Sequence, residues 1–284
     1  MLKYKPETVS VNKESASLRF LYNTAPGRLL LRPLSSMAVS GLCGRFLDSG
    51  LSKPLVGRFV RKYSIDLDDY QSCEYNSFNE FFTREIKSGR RPVDADPDAL
   101  TAPCDGFLSA YHITEDTVIP VKQSRYTISA LLGGATGAEK FKNGLCLVFR
   151  LCVDNYHRYC YIDDGTVGES AFIKGRLHTV RPIALRSVPV FTENCREYTF
   201  IETEHFGEVA QIEVGAMLVG KIKNHPGKRT VRRGEEKGMF LYGGSTVIVL
   251  LQEGRVSIPE EIFEATEGQA EIPVRMGQKI GQRA

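Results

Sequence analysis

KGMFLYGGSTVIVLL, residues 237–251, decides how the rest of the chain is read. Gly243 and Gly244 make a turn, because two residues without a Cβ let the backbone reach positive φ. The run Thr246 to Leu251 that follows is short, apolar and rich in β-branched residues, the pattern of a buried strand. Working outward, similar runs recur at Gly106 to Tyr111, Leu145 to Leu151 and Val209 to Val214, separated by turn residues. These strands are too close together for βαβ crossovers, so antiparallel pairing is expected from about Ala102 onward. One short helix is predicted over Thr127 to Leu132, and Val274 to Gly281 reads as a turn and strand closing the β core.

The N-terminal part reads differently. From Thr24 to about Tyr63 the pattern is helical, with interruptions expected at Pro33 and Pro54. Within Gly27 to Tyr63, seven basic residues (Arg28, Arg32, Arg45, Lys53, Arg58, Arg61 and Lys62) stand against one acid, Asp48, among many leucines, valines and phenylalanines. Such a basic amphipathic stretch either lies in a lipid interface or packs its apolar face on the rest of the protein. Ser77 to Lys87 predicts one further helix, with Ser77 as N-cap, Glu80 completing a capping box, and Phe78, Phe81 and Phe82 on one face. The expected fold class is α+β. A helical N-terminal lobe over residues 1–95, a docking region for membranes, precedes a mostly antiparallel, barrel-sandwich-like β core over residues 96–284.

Bulk properties exclude several classes. Hydrophobic residues make up 42% and charged residues 25% of the 284, an ordinary globular composition. The net charge of +3 is too small to argue for nucleic acid. Seven cysteines, an odd number without a CxxC pair, argue against a disulfide framework or a structural zinc site and for a reducing compartment. Apolar runs reach only about five residues, far below the roughly 20 needed to span a bilayer. His112, His205 and His225 have no spacing that suggests metal ligation, so no metal is expected.

Three places could carry chemistry. In Gly243-Gly244-Ser245-Thr246 the serine hydroxyl can attack the carbonyl before it, an N-to-O acyl shift; the alternative is a plain glycine turn entering a strand. In Tyr156-His157-Arg158-Tyr159-Cys160, His157 is a candidate proton-transfer group or a hydrogen-bonded structural histidine. Asp105, in Ala102-Pro103-Cys104-Asp105-Gly106, is either a turn acid or the group that orients a histidine in a Ser-His-Asp arrangement.

Taken together, these motifs resemble the phosphatidylserine decarboxylase family. The blocks are FNEFFTR (78–84) with Arg91-Pro92, Pro103-Cys104-Asp105-Gly106, YTISALL (126–132), Tyr156-His157-Arg158, VGAMLVG (214–220), and Lys237-Gly238 followed by Gly243-Gly244-Ser245-Thr246. The resemblance implies cleavage between Gly244 and Ser245 without a protease, giving a β chain of residues 1–244 and an α chain of 245–284. Ser245 would then become a pyruvoyl group, the covalent cofactor, that forms an imine with the substrate amine and takes up the electrons released with carbon dioxide. Asp105, His157 and Ser245 are the implied catalytic residues. The implied reaction is decarboxylation of phosphatidylserine to phosphatidylethanolamine by a peripheral protein at the cytoplasmic side of the cell membrane. Expected partners are phosphatidylserine in membranes and the α and β chains of one precursor, with room for a homo-oligomer and none for nucleic acid.

One departure matters. Many members of that family carry a second histidine three residues after the first, where this chain has Cys160. A thiol is a poor base near neutrality. Either His157 serves both self-cleavage and decarboxylation, or another histidine, with His178 as candidate, takes one role. The rival readings are a pyruvoyl decarboxylase of another serine phospholipid or a soluble amino acid, and a non-enzymatic barrel-sandwich carrier. The carrier would need a lysine displayed at a hairpin tip, and no MKM-like segment is found.

Overall fold

A computed structural model of the chain describes residues 7–8, 15–71, 74–114, 117–121, 124–217, 221–227, 229–243 and 245–284. Cys73, Leu218, Val219, Gly220 and Gly244 therefore lie outside the described residues.

Helices come first: α1 (Ala16–Asn23), α2 (Ala25–Leu34), α3 (Met37–Asp48), α4 (Lys53–Tyr63) and α5 (Phe78–Phe82). Ser15, Thr24 and Ser36 cap the first three by accepting from the backbone N–H groups of Leu18, Gly27 and Val39. Pro33 sits inside the last turn of α2, and the break comes two residues later at Ser35–Ser36. Pro54 is in the first turn of α4, where its missing N–H has no helical partner to lose.

The helix expected over Ser77 to Lys87 stops at Phe82. Ser77 does accept from Glu80 N, yet the Glu80 carboxylate reaches back to Asn76 N (2.6 Å) instead of closing the box on Ser77. Beyond Phe82, the Thr83 hydroxyl donates to Asn79 O, and Arg84 turns inward over the rings of Tyr70 and Phe81. Glu85 to Lys87 then run extended beside Asp69 to Gln71. One and a half turns suffice to bury Phe78, Phe81 and Phe82, so tertiary pairing takes over from helix propensity.

The strands are β1 (Glu7–Thr8), β2 (Ala99–Thr101), β3 (Gly106–His112), β4 (Thr117–Val121), β5 (Ser124–Thr127), β6 (Leu145–Leu151) and β7 (Arg158–Cys160). Next come β8 (Gly165–Ile173), β9 (Arg196–Thr203), β10 (Gly207–Val214), β11 (Ile222–Asn224) and β12 (Thr230–Val231). The last are β13 (Glu236–Phe240), β14 (Ser245–Leu251), β15 (Val256–Ser257), β16 (Ala270–Val274) and β17 (Lys279–Arg283). Nine of them form one sheet in the order β1-β16-β3-β6-β14-β10-β9-β8-β12, and every ladder between named strands is antiparallel, as expected. Its two ends stay open, so the core is a stack of sheets and not a closed barrel.

Alternation along β14 explains the two cores. Ile248 and Leu250 face one side with Val148, Ile212 and Val214, under the α1–α2 helices. Val247, Val249 and Leu251 face the other with Leu147, Phe149 and Leu151, where Tyr159 of β7 and Phe240 of β13 cover them. β7 and β13 belong to a small sheet, β11-β13-β7, joined to the large one by a buried polar seam. Lys237 Nζ donates to Glu213 Oε2 (2.5 Å), Asn224 donates to the same oxygen, and Gln211 donates to Cys160 O.

Glu213 is fully buried and Lys237 nearly so, at 0% and 2% side-chain exposure. Removing one partner strands the other charge in apolar surroundings. Lys237→Met should destabilise the chain by about 3–5 kcal/mol, and adding Glu213→Leu should recover much of that loss. Urea unfolding in a Ser245→Ala background measures both.

Candidate active site

Register gathers Ser245 and Asp105 at one end of the large sheet, while His157 leads into the small sheet opposite Phe240. Ser245 opens β14 opposite Leu151, the last residue of β6, and Thr246 pairs with Val214, the last residue of β10. Gly106 opens β3 and pairs with Val274, one residue after Asp105. Gly106 has φ +152°, and a Cβ there would meet Arg150 O at 2.7 Å, so this close approach requires glycine. Cys152 to Asn155 turn the chain out of β6: the Asn155 side chain accepts from Cys152 N, and Asn155 N donates to Cys152 O. The turn leads to His157.

Ser245 is completely buried, and its hydroxyl has no hydrogen-bond partner among the described residues. The Thr246 hydroxyl is equally orphaned. Just upstream, Gly243 has φ +138°, a conformation that favours glycine. A buried hydroxyl without a partner forfeits about 1–3 kcal/mol, so its presence calls for an explanation beyond packing.

His157 is also fully buried. Its Nδ1 faces Asn155 O at 2.9 Å, which assigns the proton to Nδ1 and leaves Nε2 as a free lone pair without a partner. Burial pushes the imidazole down to about 3, and the nearby Arg84 guanidinium pushes the same way, so the ring is neutral at pH 7. Phe82 packs on the ring with centroids 4.1 Å apart, and Tyr242 packs on Phe82 at 5.1 Å. Phe240 N donates to His157 O, and Tyr242 N donates to Asn79 Oδ1 (3.2 Å), whose amide in turn donates to Asp48 at the end of α3. The segment leading to Ser245 is thus held between His157 and the N-terminal helices.

Asp105 is buried at this end but does not hydrogen-bond His157. Its carboxylate accepts a bidentate pair from Arg91 (2.8 and 2.6 Å) and a third bond from Met276 N (2.9 Å). Asp105 lies close enough to Cys160 for its charge to help raise that thiol, which burial already pushes up to about 12. The acid expected to orient His157 therefore addresses Arg91 and the position of the missing second histidine, while a backbone carbonyl orients His157. Cys160 stays a neutral thiol and supplies no base.

His178 is buried elsewhere, between Tyr22 OH on Nδ1 (3.3 Å) and Glu193 on Nε2 (3.5 Å). It is linked toward the site through Asn194, whose amide donates to both His178 O and Gly215 O, and through Met217 N, which donates to His178 O. The remaining histidines are accounted for locally: His112 stacks on Phe263, His205 bonds Asp163, and His225 bonds Glu236. Among the described residues no group of three or more His, Cys, Asp or Glu is arranged to hold a metal ion. Sequence reading missed Asn79, Arg84 and Tyr242 as parts of this site. All three lie in or beside quoted motifs, but their contacts cross more than 60 residues of chain and leave no local signal.

The depressed His157 pKa has a measurable consequence. The folded state refuses a proton that the unfolded chain accepts below 6.5, so this contribution to stability is complete above that pH and is lost as pH falls toward 3. The stability difference between Ser245→Ala and Ser245→Ala/His157→Phe should shift by about 2 kcal/mol against the histidine between pH 7.5 and 5. Urea titrations at the two pH values check it.

Comparison with known proteins bears on this geometry. The family profile described as phosphatidylserine decarboxylase matches residues 78–282. The chain is 43% identical over 270 residues to a phosphatidylserine decarboxylase proenzyme 2 of Clostridium acetobutylicum, covering 95% of this chain and 92% of that protein. It is 36% identical to a phosphatidylserine decarboxylase proenzyme of Clostridium beijerinckii over 99% of this chain and 96% of that one. With the proenzyme of Desulfitobacterium hafniense it shares 37% identity over 100% and 99%. A carrier module without catalysis does not fit these relatives. The chain belongs to the phosphatidylserine decarboxylase family of enzymes.

Proposed function

We propose that the chain decarboxylates phosphatidylserine to phosphatidylethanolamine and carbon dioxide after cutting itself between Gly244 and Ser245. The observation that carries this reading is the pair of buried, unpartnered atoms: the Ser245 hydroxyl and His157 Nε2. At pH 7 His157 is neutral, so its Nε2 lone pair is free to accept a proton, while burial makes it a weaker base than imidazole in water.

In the cut, His157 Nε2 takes the proton as Ser245 Oγ bonds to the carbonyl carbon before it, and the acyl group moves from nitrogen to oxygen. Elimination then breaks the Ser245 Cβ–Oγ bond and frees the carboxylate of residue 244. Water enters, ammonia leaves, and the new terminus carries a ketone. The Tyr242 packing and the Asn79 bond hold the scissile segment still during this sequence. Asp105 acts as a positioning residue: it fixes Arg91 and the turn at Met276, rather than the imidazole.

A pyruvoyl group at residue 245 supplies the electron sink for loss of the carboxylate. The chain's residues suit it. Cys104 and Cys160, both within reach of the Asp105 charge, are held as thiols by burial, so neither presents a thiolate to a ketone. His157 returns the proton to the substrate α-carbon.

Docking on the cytoplasmic face of the cell membrane belongs to the same proposal. Among the described residues, seven of the nine large hydrophobic side chains that stand exposed fall between residues 20 and 51: Phe20, Leu29, Leu30, Met37, Leu42, Phe46 and Leu51. Arg28, Arg32, Arg45 and Lys53 rise exposed among them. Such a patch suits insertion to headgroup depth with anionic lipid around it. Among the described residues no helix is long and apolar enough to cross a membrane.

Intact mass spectrometry of the purified protein should return two chains, residues 1–244 and 245–284, the smaller beginning in a pyruvoyl group, and Ser245→Ala should stay whole. A fully active single chain with an ordinary serine at 245 would overturn the mechanism. For docking, Leu42→Glu/Leu51→Glu should cut sedimentation with phosphatidylglycerol-containing vesicles at least about tenfold while self-cleavage proceeds normally.

A further inference from the structure

Between α2 and the segment after β8 lies a cleft of about 400 Å³, lined by Arg28, Leu29, Arg32, Arg176, His178 and Val188. All three arginines are exposed, and none has an ion-pair partner among the described residues. Cations gathered around one cleft without a carboxylate create a positive potential that an anion relieves. Glu193 does not meet this need, because its carboxylate turns to His178.

The cleft is built, not incidental. Leu177 N donates to Ser35 O at the end of α2 (2.9 Å), and Thr179 N donates to Tyr22 OH of α1, which also meets His178 Nδ1. Three bonds thus pin both helices to one wall. Behind that wall, Asn194 ties His178 O to Gly215 O, and Gly215 continues the strand whose last residue pairs with Thr246. In front, Leu29 is 66% exposed on the apolar patch. The cleft thus carries an exposed apolar side chain at its rim, three guanidinium groups along it, and behind its wall a hydrogen-bonded link to the strand that pairs with Thr246. A phospholipid presents groups to match: acyl chain, phosphodiester, headgroup amine.

Resting on the function proposed above, we propose that this cleft binds the phosphodiester of the phospholipid substrate, with Arg28, Arg32 and Arg176 as its charged ligands. The arginines act on ground-state binding and do not touch the reacting atoms.

The test uses the mature, self-cleaved enzyme and monomeric short-chain phosphatidylserine, which separates the cleft from the membrane surface. Arg32→Gln/Arg176→Gln should raise KM at least about tenfold with kcat within about twofold, and should weaken competitive inhibition by glycerophosphoserine in parallel. Arg32→Lys/Arg176→Lys should restore part of the affinity, and Lys174→Gln, nearby but outside the cleft, should change neither constant. An unchanged KM for the monomer, with only binding to phosphatidylglycerol vesicles reduced, overturns the proposal in favour of bare surface attraction. Inorganic phosphate competing as well as glycerophosphoserine overturns it in favour of a free-phosphate site. A wild-type chain that neither cuts itself nor releases carbon dioxide strikes instead at the functional reading, so the two failures are distinguishable.

Discussion

Water is kept away from Ser245 and His157 by burial, and the protonation states around them follow from that exclusion. In water, a serine hydroxyl and an imidazole are ordinary polar groups, each saturated by solvent. Here Ser245 and His157 are fully buried with an oxygen and a nitrogen left unpaired. Burial also sets the protonation states: it strips the proton from His157 and keeps Cys160 protonated. The surrounding apolar core tolerates these orphaned atoms because strand pairing on both sides of β14 holds them in place.

The helical part contributes more than surface. Phe78, Phe81 and Phe82 form their own cluster, into which Tyr242 inserts from the segment preceding Ser245. Asn79 links that segment to Asp48 at the end of α3. The exposed apolar side chains of α2 and α3 and the chain before Ser245 are therefore mechanically connected through a few direct contacts. Helix α2 supplies one wall of the arginine-lined cleft.

Much of the fold was legible in the sequence because alternation and turn chemistry are local. The runs at Gly106, Leu145, Val209 and Thr246 all became strands of the large sheet, within a residue or two of their expected bounds. The Ser77 helix was overextended since its period of phenylalanines says nothing about Tyr70, which draws Arg84 out of the helical path. The candidate residues were legible as types: Ser245 and Asp105 share a sheet end, and His157 follows the turn that leaves β6. Their bonding was not. Whether an aspartate faces a histidine or an arginine depends on groups 14 and 171 residues away, here the Arg91 guanidinium and the Met276 backbone N–H that bind Asp105. The absence of a histidine at position 160 was readable, but not that an acid's field would still reach the thiol there.

The central position of β14 has a consequence for the lifetime of the processed protein. A break before Ser245 would leave residues 245–284 as a separate polypeptide whose first strand is sandwiched between two strands of the other. Folding would precede scission, because the fragment's partners must already be assembled for the cut to occur. Once severed, the two pieces would have no covalent tether to guide re-pairing, so denaturation becomes a one-way event governed by how slowly the sheet opens. Such a molecule is made once, and its durability rests on kinetics rather than on equilibrium.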